Sequence, residues 1–357
     1  MSQTKPIVSS YNEWDPLEEV IVGTMEGASV PPWHVTLKAT MPENHWDFYK
    51  KNGGKLFPAE QIKAAQLELD NLAHILEQEG VIVRRPDPVD FNRPYSTPDW
   101  KSEGGLYSAM PRDVLLVIGE NIIEAPMPWR SRHHEVNSFR PLIKEYFNKG
   151  AKWSAAPKPQ LLDELYDYNY QEGSGNDPVN YVINDFEPVF DAADFTKCGK
   201  DIFVLKSHVT NDAGIKWLQQ HIGDDYTIHK IDCNDRHPMH IDTTFVPLAP
   251  GKLLIHPDRM NKIPEMFKSW DIMKAPAPVM PDSQVLYMSS KWLTMNTFMI
   301  DSERILVEKN EKPTIEALKK FGMKPIPCSF YNFNTFGGGF HCATLDIRRT
   351  GELKSYF

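Results

Sequence analysis

The feature that most constrains the fold is a unit that repeats five times along the chain. In each unit, a short, largely apolar run is followed by a helix-like stretch and then by a second short run. The first runs are Glu19–Gly23, Asp113–Ile118, Asp201–Leu205, Lys252–His256 and Arg304–Val307. The second runs are Val81–Val83, Lys152–Ser154, Tyr226–Ile228, Asp271–Met273 and Lys324–Ile326. Strands that alternate with helices in this way predict an α/β fold.

The helical part of the repeat is clearest in the first unit, between Glu60 and Gln78, and Gly80 follows it as a stop signal. The apolar residues on one face of this helix are Ile62, Ala65, Leu69, Leu72 and Leu76. Five such units fit either a doubly wound sheet or a radial, propeller-like ring of blades. Because the chain has no low-complexity linker and no break in composition, we expect residues 1–357 to form a single domain.

The charge of the chain argues against two classes of partner. The formal net charge is −9 and the pI is about 5.8, whereas proteins that bind nucleic acid or anionic membranes usually carry a basic surface. No apolar run approaches the ~20 residues that span a bilayer, and the N-terminal sequence has no features of a targeting segment. Four cysteines in 357 residues do not make a disulfide scaffold. We therefore expect a cytoplasmic protein with free thiols that binds neither nucleic acid nor membrane.

One of those thiols, Cys342, follows a run of three glycines near the end of the chain. His240, Asp242 and Asp191 lie upstream of it. A late cysteine with an earlier histidine and an orienting acid is the pattern of a thiol nucleophile, whose partners meet in the fold rather than in the sequence. The alternative is that Cys342 only packs in the core, as free cysteines commonly do.

A metal site is a competing interpretation of the same histidine. Cys233, His237 and His240 have nearly the spacing of zinc ligands, but a structural zinc site needs four ligands and no second Cys/His pair lies close by in the sequence. The glycines at 337–339 are not followed by the Lys-Ser/Thr pair of a phosphate-binding loop. We therefore predict no metal and no cofactor.

Longer sequence blocks identify a family. In chain order the blocks are Met110–Asp113, Glu124–Ser131, Glu187–Phe195, Pro238–Asp242, His256–Arg259, Met288–Trp292 and Gly337–Cys342. Over almost its whole length the chain resembles the L-arginine amidinotransferases, which belong to the guanidine-modifying, or pentein, superfamily. The resemblance implies a five-bladed α/β propeller, which agrees with the five repeats. It also implies ping-pong transfer of the amidino group from L-arginine to an amine, with release of L-ornithine.

The resemblance implies a role for each catalytic residue. Cys342 corresponds to the nucleophile that carries the amidino group, and His240 corresponds to the acid/base. Asp191 corresponds to the acid that orients His240 and favours its charged form. Asp113 and Asp242 correspond to the carboxylates that hold the guanidinium group.

The remaining substrate residues are also implied by the resemblance. Arg259, Ser289 and Ser290 correspond to the site of the α-carboxylate, for which a guanidinium fork is well suited. Met239 and His237 border the acceptor side. His237 stands where we expect asparagine in the glycine-using members, so glycine, lysine, an inosamine phosphate and a polyketide amine all remain open as acceptors.

Two other functions remain open at this point. A hydrolase could use the same cysteine with water as acceptor and give citrulline, and a non-catalytic binding protein could have the same fold. The complete set of acid, base and nucleophile argues against a binding protein, and the long family blocks favour a transferase over a hydrolase. The expected partners are small molecules, and a homodimer remains open.

Three regions outside the repeats, namely 25–58, 88–110 and 158–190, are expected to be irregular and are too long for ordinary loops. Loops of this length in a compact protein are usually functional. Exclusion of water favours an amine acceptor. We expect regions 25–58 and 330–340 to cover the site and exclude water from it.

Overall fold

The computed structural model describes residues 5–174, 177–260 and 262–357. Its strands are, in chain order, β1 (Leu17–Val22), β2 (Ile82–Arg84), β3 (Tyr95–Ser96), β4 (Lys101–Ser102), β5 (Leu115–Ile118), β6 (Asn121–Glu124), β7 (Lys152–Ala155), β8 (Phe195–Cys198), β9 (Asp201–Val204), β10 (Thr227–Lys230), β11 (Phe245–Ala249), β12 (Lys252–Ile255), β13 (Asp271–Lys274), β14 (Phe298–Met299), β15 (Arg304–Glu308), β16 (Lys324–Cys328) and β17 (Thr344–Arg349). Its helices are α1 (Val35–Thr40), α2 (Trp46–Asn52), α3 (Ala59–Gln78), α4 (Pro111–Val114), α5 (Arg140–Asn148), α6 (Asp212–Ile222), α7 (Lys312–Lys320) and α8 (Tyr331–Asn334).

One sheet topology recurs through the molecule. Within the described residues there are five three-stranded sheets, with the orders β17-β1-β2, β5-β6-β7, β8-β9-β10, β11-β12-β13 and β14-β15-β16, and one two-stranded hairpin, β3-β4. In every three-stranded sheet the middle strand runs antiparallel to the first strand and parallel to the third. The α/β fold and its five repeats are thus confirmed. The radial placement of the five sheets as propeller blades, and the single domain, stay predictions.

The second repeat differs from its sequence prediction. Asp113 and Val114, predicted to begin a strand, lie in α4, because Pro111 fits the first turn of a helix and starts one there. The strand that follows, β5, is the first strand of its sheet, and the middle strand is β6, which the sequence analysis missed. Gly119 makes the tight turn between the two strands with a φ of +57°, a value that side chains disfavour.

The other four sheets begin with a strand that the sequence analysis missed, namely β8, β11, β14 and β17. Of these, β8, β11 and β14 have four, five and two residues and are followed closely by the middle strand of their sheet. Gly199, with a φ of +71°, lies in the turn between β8 and β9. A Cβ at position 199 would lie 1.9 Å from the carbonyl oxygen of Lys354, so the close approach of the C-terminal segment also requires glycine here.

The helices α3, α5, α6 and α7 each connect the middle strand of a sheet to its third strand. In α3 the predicted apolar face is buried at Ala65, Leu69, Leu72 and Leu76. The helix predicted for the fourth repeat is wrong, since the described part of that connection contains only the 3₁₀ turn Glu265–Phe267. Pro257 and Pro264 remove two backbone donors from this short connection.

The long non-repeat regions are partly structured. Region 25–58 contains α1 and α2, and region 88–110 contains the hairpin β3-β4, so the expectation of irregular chain is wrong for both. No helix formed by the described residues is both long and apolar enough to cross a membrane.

A buried cluster of charges joins three of the sheets. Asp346 of β17 is fully buried, and its carboxylate lies 2.5 Å from Nη2 of Arg112, 3.0 Å from Nζ of Lys197 and 3.2 Å from Nε of Arg349. Arg112 belongs to α4, ahead of β5, and Lys197 belongs to β8. Burial favours the neutral acid, but the three cations outweigh it and hold the pKa of Asp346 well below its ordinary value.

Replacing Asp346 should therefore be costly. We expect Asp346→Asn to lower the free energy of unfolding at pH 7 by about 3–5 kcal/mol, because it removes the carboxylate that three buried cations share, and Glu13 still contacts Arg112 and Lys197 but does not replace it. The ionised carboxylate stabilises the fold fully above its ordinary pKa, and this stabilisation disappears as the pH falls through the lowered pKa of the folded state. Urea unfolding at a series of pH values measures both effects.

The control is Asp282→Asn, which removes the exposed partner of Lys291. We expect almost no change in stability from this variant, because exposed ion pairs contribute little. Equal losses from the Asp346 and Asp282 variants would contradict a structural role for the cluster.

Candidate active site

The polar residues of the site come from equivalent places in the repeated topology, just ahead of the strand that begins each sheet. The five residues and the strands that they precede are Asp113 (β5), Asp191 (β8), Asp242 (β11), Asn296 (β14) and Cys342 (β17). Because the five sheets share one topology, each contributes one such segment. The contacts described below join these segments into one site.

These segments meet at a cavity of about 380 Å³. The sequence-predicted residues that line it are Asp113, His237, Met239, His240, Asp242, Arg259, Ser289, Ser290 and Cys342. The tenth, Asp191, lies behind His240 and contacts it directly. The structure thus brings all ten predicted residues together.

Cys342 is buried, and its Sγ has two close polar neighbours. Nδ2 of Asn296 lies 3.2 Å from Sγ, and Oδ2 of Asp242 lies 3.4 Å from it. Burial and the charge of Asp242 raise the pKa of the Cys342 thiol to about 12, although a hydrogen bond with His240 acts in the opposite direction. With these neighbours the thiol is neutral at pH 7, and a cation bound against Asp242 would favour the thiolate.

His240 lies between two of the aspartates. Its Nε2 is 3.0 Å from Oδ2 of Asp191, and its Nδ1 is 3.7 Å from Oδ1 of Asp113. Burial disfavours the charged imidazole, but the two carboxylates and Cys342 outweigh burial and raise the pKa of His240 well above its ordinary value. His240 is therefore charged at neutral pH and is poised to donate a proton.

The backbone at His240 is strained. Its φ is +63° and its ψ is 128°, a region that residues with a Cβ rarely adopt. This conformation directs the chain into the turn Ile241–Thr243, which carries Asp242. The strain is thus located where the acid/base candidate and one carboxylate enter the cavity.

One buried oxygen in each of the three predicted site aspartates has no hydrogen-bond partner. These oxygens are the Oδ1 atoms of Asp113, Asp191 and Asp242. Buried acceptors are normally satisfied, and two of these aspartates line the cavity. A planar cation with several N–H groups would satisfy them, so the site is suited to a guanidinium group.

Arg132, which the sequence analysis missed, fixes two of the carboxylates. Its Nη1 lies 3.0 Å from Oδ2 of Asp113 and 3.5 Å from Oδ2 of Asp191, and its Nη2 lies 2.8 Å from Oε2 of Glu135. Each of these residues is almost fully buried. The only sequence signal was that Arg132 directly follows the block Glu124–Ser131.

His341, also missed, links Asp242 to the buried charge cluster. Its Nδ1 lies 2.8 Å from Oδ2 of Asp242 and its Nε2 lies 3.3 Å from Oε2 of Glu13, which contacts Arg112 at 3.5 Å. Burial would raise the pKa of Asp242, but His341, the charge of His240 and a hydrogen bond from Asn296 together outweigh burial, so that pKa is lowered. Asp242 is therefore an anion that lines the cavity where we expect the guanidinium cation to bind.

Polar residues also occupy the outer part of the cavity. Nε of Arg259 lies 3.1 Å from Oδ2 of Asp235, and its Nη1 donates to Oγ1 of Thr243 at 3.2 Å. Ser289 and Ser290 line the same cavity. This part of the site offers an arginine and two hydroxyl groups to an anionic or polar group.

His237 connects two of the long regions at the cavity. Its Nδ1 lies 3.0 Å from the carbonyl oxygen of Ala39, and its Nε2 lies 3.2 Å from Oε2 of Glu172. Regions 25–58 and 158–190 therefore meet here, and Tyr107 of region 88–110 lines the same cavity. All three regions border the site, as expected for functional loops.

Potential metal ligands also meet in this cavity, since ligand atoms of Asp113, His240 and Cys342 lie within 4.8 Å of one another. A metal would need a neutral imidazole and a thiolate. Here the pKa values of His240 and Cys342 are both raised, which favours the protonated forms of both groups. The arrangement is better suited to proton transfer and thiol chemistry, and the absence of a metal and a cofactor stays a prediction.

The strain at His240 gives a stability prediction. We expect His240→Gly to be more stable than His240→Ala by about 1–2 kcal/mol, because glycine removes the clash of a Cβ in this conformation. Urea unfolding of the two variants measures the difference. At Ala65 in α3 the order should reverse, with Ala65→Gly less stable than the parent. An alanine variant at 240 that is the more stable of the pair would contradict the strain.

Comparison with known proteins gives the family. No family model matches the chain. An L-arginine:L-lysine amidinotransferase of Pseudomonas savastanoi pv. phaseolicola is 56% identical over 354 residues, which is 99% of this chain and 97% of that protein. The mitochondrial glycine amidinotransferase of Gallus gallus is 50% identical over 358 residues, covering 98% of this chain and 85% of that protein.

A solved structure agrees with these relatives. SxtG, an amidinotransferase from Microseira wollei in the saxitoxin biosynthetic pathway, superposes with a TM-score of 0.95 and 52% identity, covering 98% of this chain and 99% of that one. Identity at this level over nearly the full length is decisive for family membership, and the chain belongs to the amidinotransferases of the pentein superfamily.

Proposed function

We propose that the protein transfers the amidino group of L-arginine to an amine through a covalent amidino-Cys342 intermediate. The observation that carries the proposal is the arrangement around one thiol: Sγ of Cys342 shares a cavity with charged His240 and with Asp113 and Asp242, each of which has an unsatisfied oxygen. Amidino transfer from arginine is also the activity of the close relatives.

In this proposal L-arginine binds with its guanidinium group against Asp113 and Asp242. Its α-carboxylate is bound by Arg259, Ser289 and Ser290. The guanidinium charge compensates the two carboxylates, which are among the causes of the raised pKa of the Cys342 thiol. Substrate binding thus favours the thiolate, the thiol proton passes to solvent because His240 is already charged, and the nucleophile forms where its target carbon is held.

The first half-reaction releases ornithine. The thiolate of Cys342 attacks the guanidinium carbon, and the bond from that carbon to Nε of arginine, which becomes the δ-nitrogen of ornithine, breaks. His240 donates its proton to this nitrogen, so that neutral ornithine can leave. Asp191 holds the imidazole ring in place at 3.0 Å. The amidino group remains on Sγ.

The second half-reaction reverses these roles. An amine enters, gives a proton to His240 and attacks the amidino carbon, and Cys342 leaves as the thiolate. Water would need the same base, so the catalytic residues do not distinguish transfer from hydrolysis. The distinction must come from the apolar walls, to which Met41, Trp46, Trp129 and Met288 contribute and which exclude water.

The acceptor is a primary amine whose chain fits beside His237 and Met239. The two curated relatives use, by their names, lysine and glycine. Small-molecule partners suffice for this activity. A cytoplasmic location remains part of the proposal, in keeping with Cys198, Cys233, Cys328 and Cys342, all of which are free thiols.

Product analysis tests the proposal. Incubation with L-arginine and a panel of amines, including glycine and L-lysine, should give ornithine and one guanidino product in equal amounts. L-Arginine alone should give little citrulline, because water is a poor acceptor in this cavity. Cys342→Ser is the inactive control. Rapid citrulline formation without an amine would identify a hydrolase and overturn the proposal.

The binding polarity makes a separate prediction. We expect Arg259→Ala to weaken binding of L-arginine by about 2–5 kcal/mol, because it removes a charged contact to the α-carboxylate. Binding of agmatine, which lacks the carboxylate, should change far less, and this ligand is the matched control. Calorimetric titration with the Cys342→Ser background avoids turnover. Equal weakening of both ligands would reject the role of Arg259.

A further inference from the structure

Asn296 is a buried residue that the proposed mechanism has not used. It is 1% exposed and follows the 3₁₀ turn Lys291–Met295, at the place where the other four repeats carry Asp113, Asp191, Asp242 and Cys342. Four of the five equivalent places thus carry a side chain with a role in the proposed reaction, and Asn296 occupies the fifth place.

The carboxamide of Asn296 has both ends engaged by the nucleophile segment. Its Oδ1 accepts hydrogen bonds from the backbone N–H groups of His341 at 2.9 Å and Cys342 at 3.1 Å. Because an N–H group needs an acceptor, these two bonds fix which end of the amide is oxygen. The Nδ2 end is therefore the one that faces Sγ of Cys342, at 3.2 Å.

Asn296 has little freedom to leave this position. Its backbone carbonyl accepts the N–H of Phe340 at 2.9 Å, and a Cβ at Gly339 would lie 2.6 Å from the Cβ of Asn296. The nucleophile segment thus packs directly on this residue. The donor is held toward Sγ before any substrate binds, which is the arrangement that electrostatic stabilisation requires.

We propose that Asn296 is a catalytic residue of the amidino transfer, whose carboxamide N–H donates to Sγ of Cys342 and stabilises the thiolate. The proposal builds on the proposed function. The thiolate occurs twice in that reaction, as the attacking group and as the group that leaves when the amine takes the amidino carbon. A hydrogen bond to a charged acceptor is stronger than one to a neutral thiol. This donor therefore stabilises the thiolate both when it attacks and when it leaves.

The other groups that influence the thiol do not replace this donor. Asp242, at 3.4 Å, and Asp113 disfavour the thiolate, and charged His240 favours it. Tyr107 also lies near the thiol, and the negative charge of a Cys342 thiolate would raise the pKa of the Tyr107 hydroxyl group. His240 must give its proton to ornithine during the reaction, whereas Asn296 keeps its N–H throughout.

The test measures the thiol directly, by the rate at which iodoacetamide alkylates Cys342 as a function of pH, with the Cys342 peptide followed by mass spectrometry. We expect Asn296→Ala to move the alkylation profile to higher pH and to slow the reaction at a fixed pH below the thiol pKa by about tenfold or more. In turnover, kcat should fall. The alkylation profile is the deciding measurement, because Asn296 also forms a hydrogen bond with Asp242, one of the carboxylates proposed to bind the guanidinium group.

Two further variants separate this role from support of the loop. Asn296→Asp keeps the acceptor for both backbone N–H groups but replaces the donor by a carboxylate, so it should alkylate still more slowly. The added buried charge should also lower its stability, so urea unfolding first establishes the conditions under which this variant is folded. Asn334→Ala removes a buried carboxamide whose Nδ2 donates to the carbonyl oxygen of Gly338 at 2.8 Å in the same segment. Its alkylation profile should stay close to that of the parent.

Parental alkylation profiles in both Asn296 variants would overturn the proposal, and so would an equal shift in Asn334→Ala. Alkylation needs neither L-arginine nor an amine. A shifted profile in a protein that fails to transfer the amidino group would therefore contradict the proposed function and leave the donor role of Asn296 supported.

Discussion

The site depends on keeping three aspartates close to one thiol in the protein interior. Like charges repel strongly where water is excluded, so each carboxylate needs a positive partner. Arg132 contacts both Asp113 and Asp191, and His240 lies between the same two residues. These partners still leave one oxygen of each aspartate without a hydrogen bond, and that surplus of acceptors makes the site suited to a guanidinium substrate.

The same negative surroundings control the nucleophile. Burial and Asp242 hold the Cys342 thiol in its neutral form, and the bound guanidinium charge removes much of that opposition. In the proposed mechanism the reactive thiolate is thus limited to the time when a substrate is present. In that mechanism His240, charged by its aspartates, supplies the proton that ornithine needs, so one set of carboxylates prepares both the acid and the nucleophile.

The sequence predicted the middle and third strands better than it predicted the connections. Apolar runs located both strands in four of the sheets, since buried strands need such residues, but in the second repeat the run located β5 and missed the middle strand β6. The first strands β8, β11, β14 and β17 were also missed: β8 and β14 have only four and two residues and carry little periodic signal, and β17 pairs with β1 from the other end of the chain. The helix predicted for the fourth repeat was wrong for another reason, because Pro257 and Pro264 remove backbone donors from that short connection.

The ten site residues predicted from the family resemblance lie together in the structure, and their roles stay predictions. Arg132, Asn296 and His341 were missed because an arginine, an asparagine or a histidine becomes informative only when its contacts are known. Asn296 is the clearest case, since nothing in the sequence near it indicates a contact with Cys342, 46 residues away. That contact depends on the repeated topology, which places the segments before β14 and β17 side by side.

Intact-protein mass spectrometry after rapid mixing with L-arginine, in the absence of any amine, tests the central claim most directly. The account predicts that Cys342 gains the mass of one amidino group and that one ornithine is released per site before an acceptor is added. Addition of the accepted amine should then return the protein to its original mass. Release of ornithine only after an amine is present, with an unmodified Cys342 at all times, would contradict the covalent mechanism.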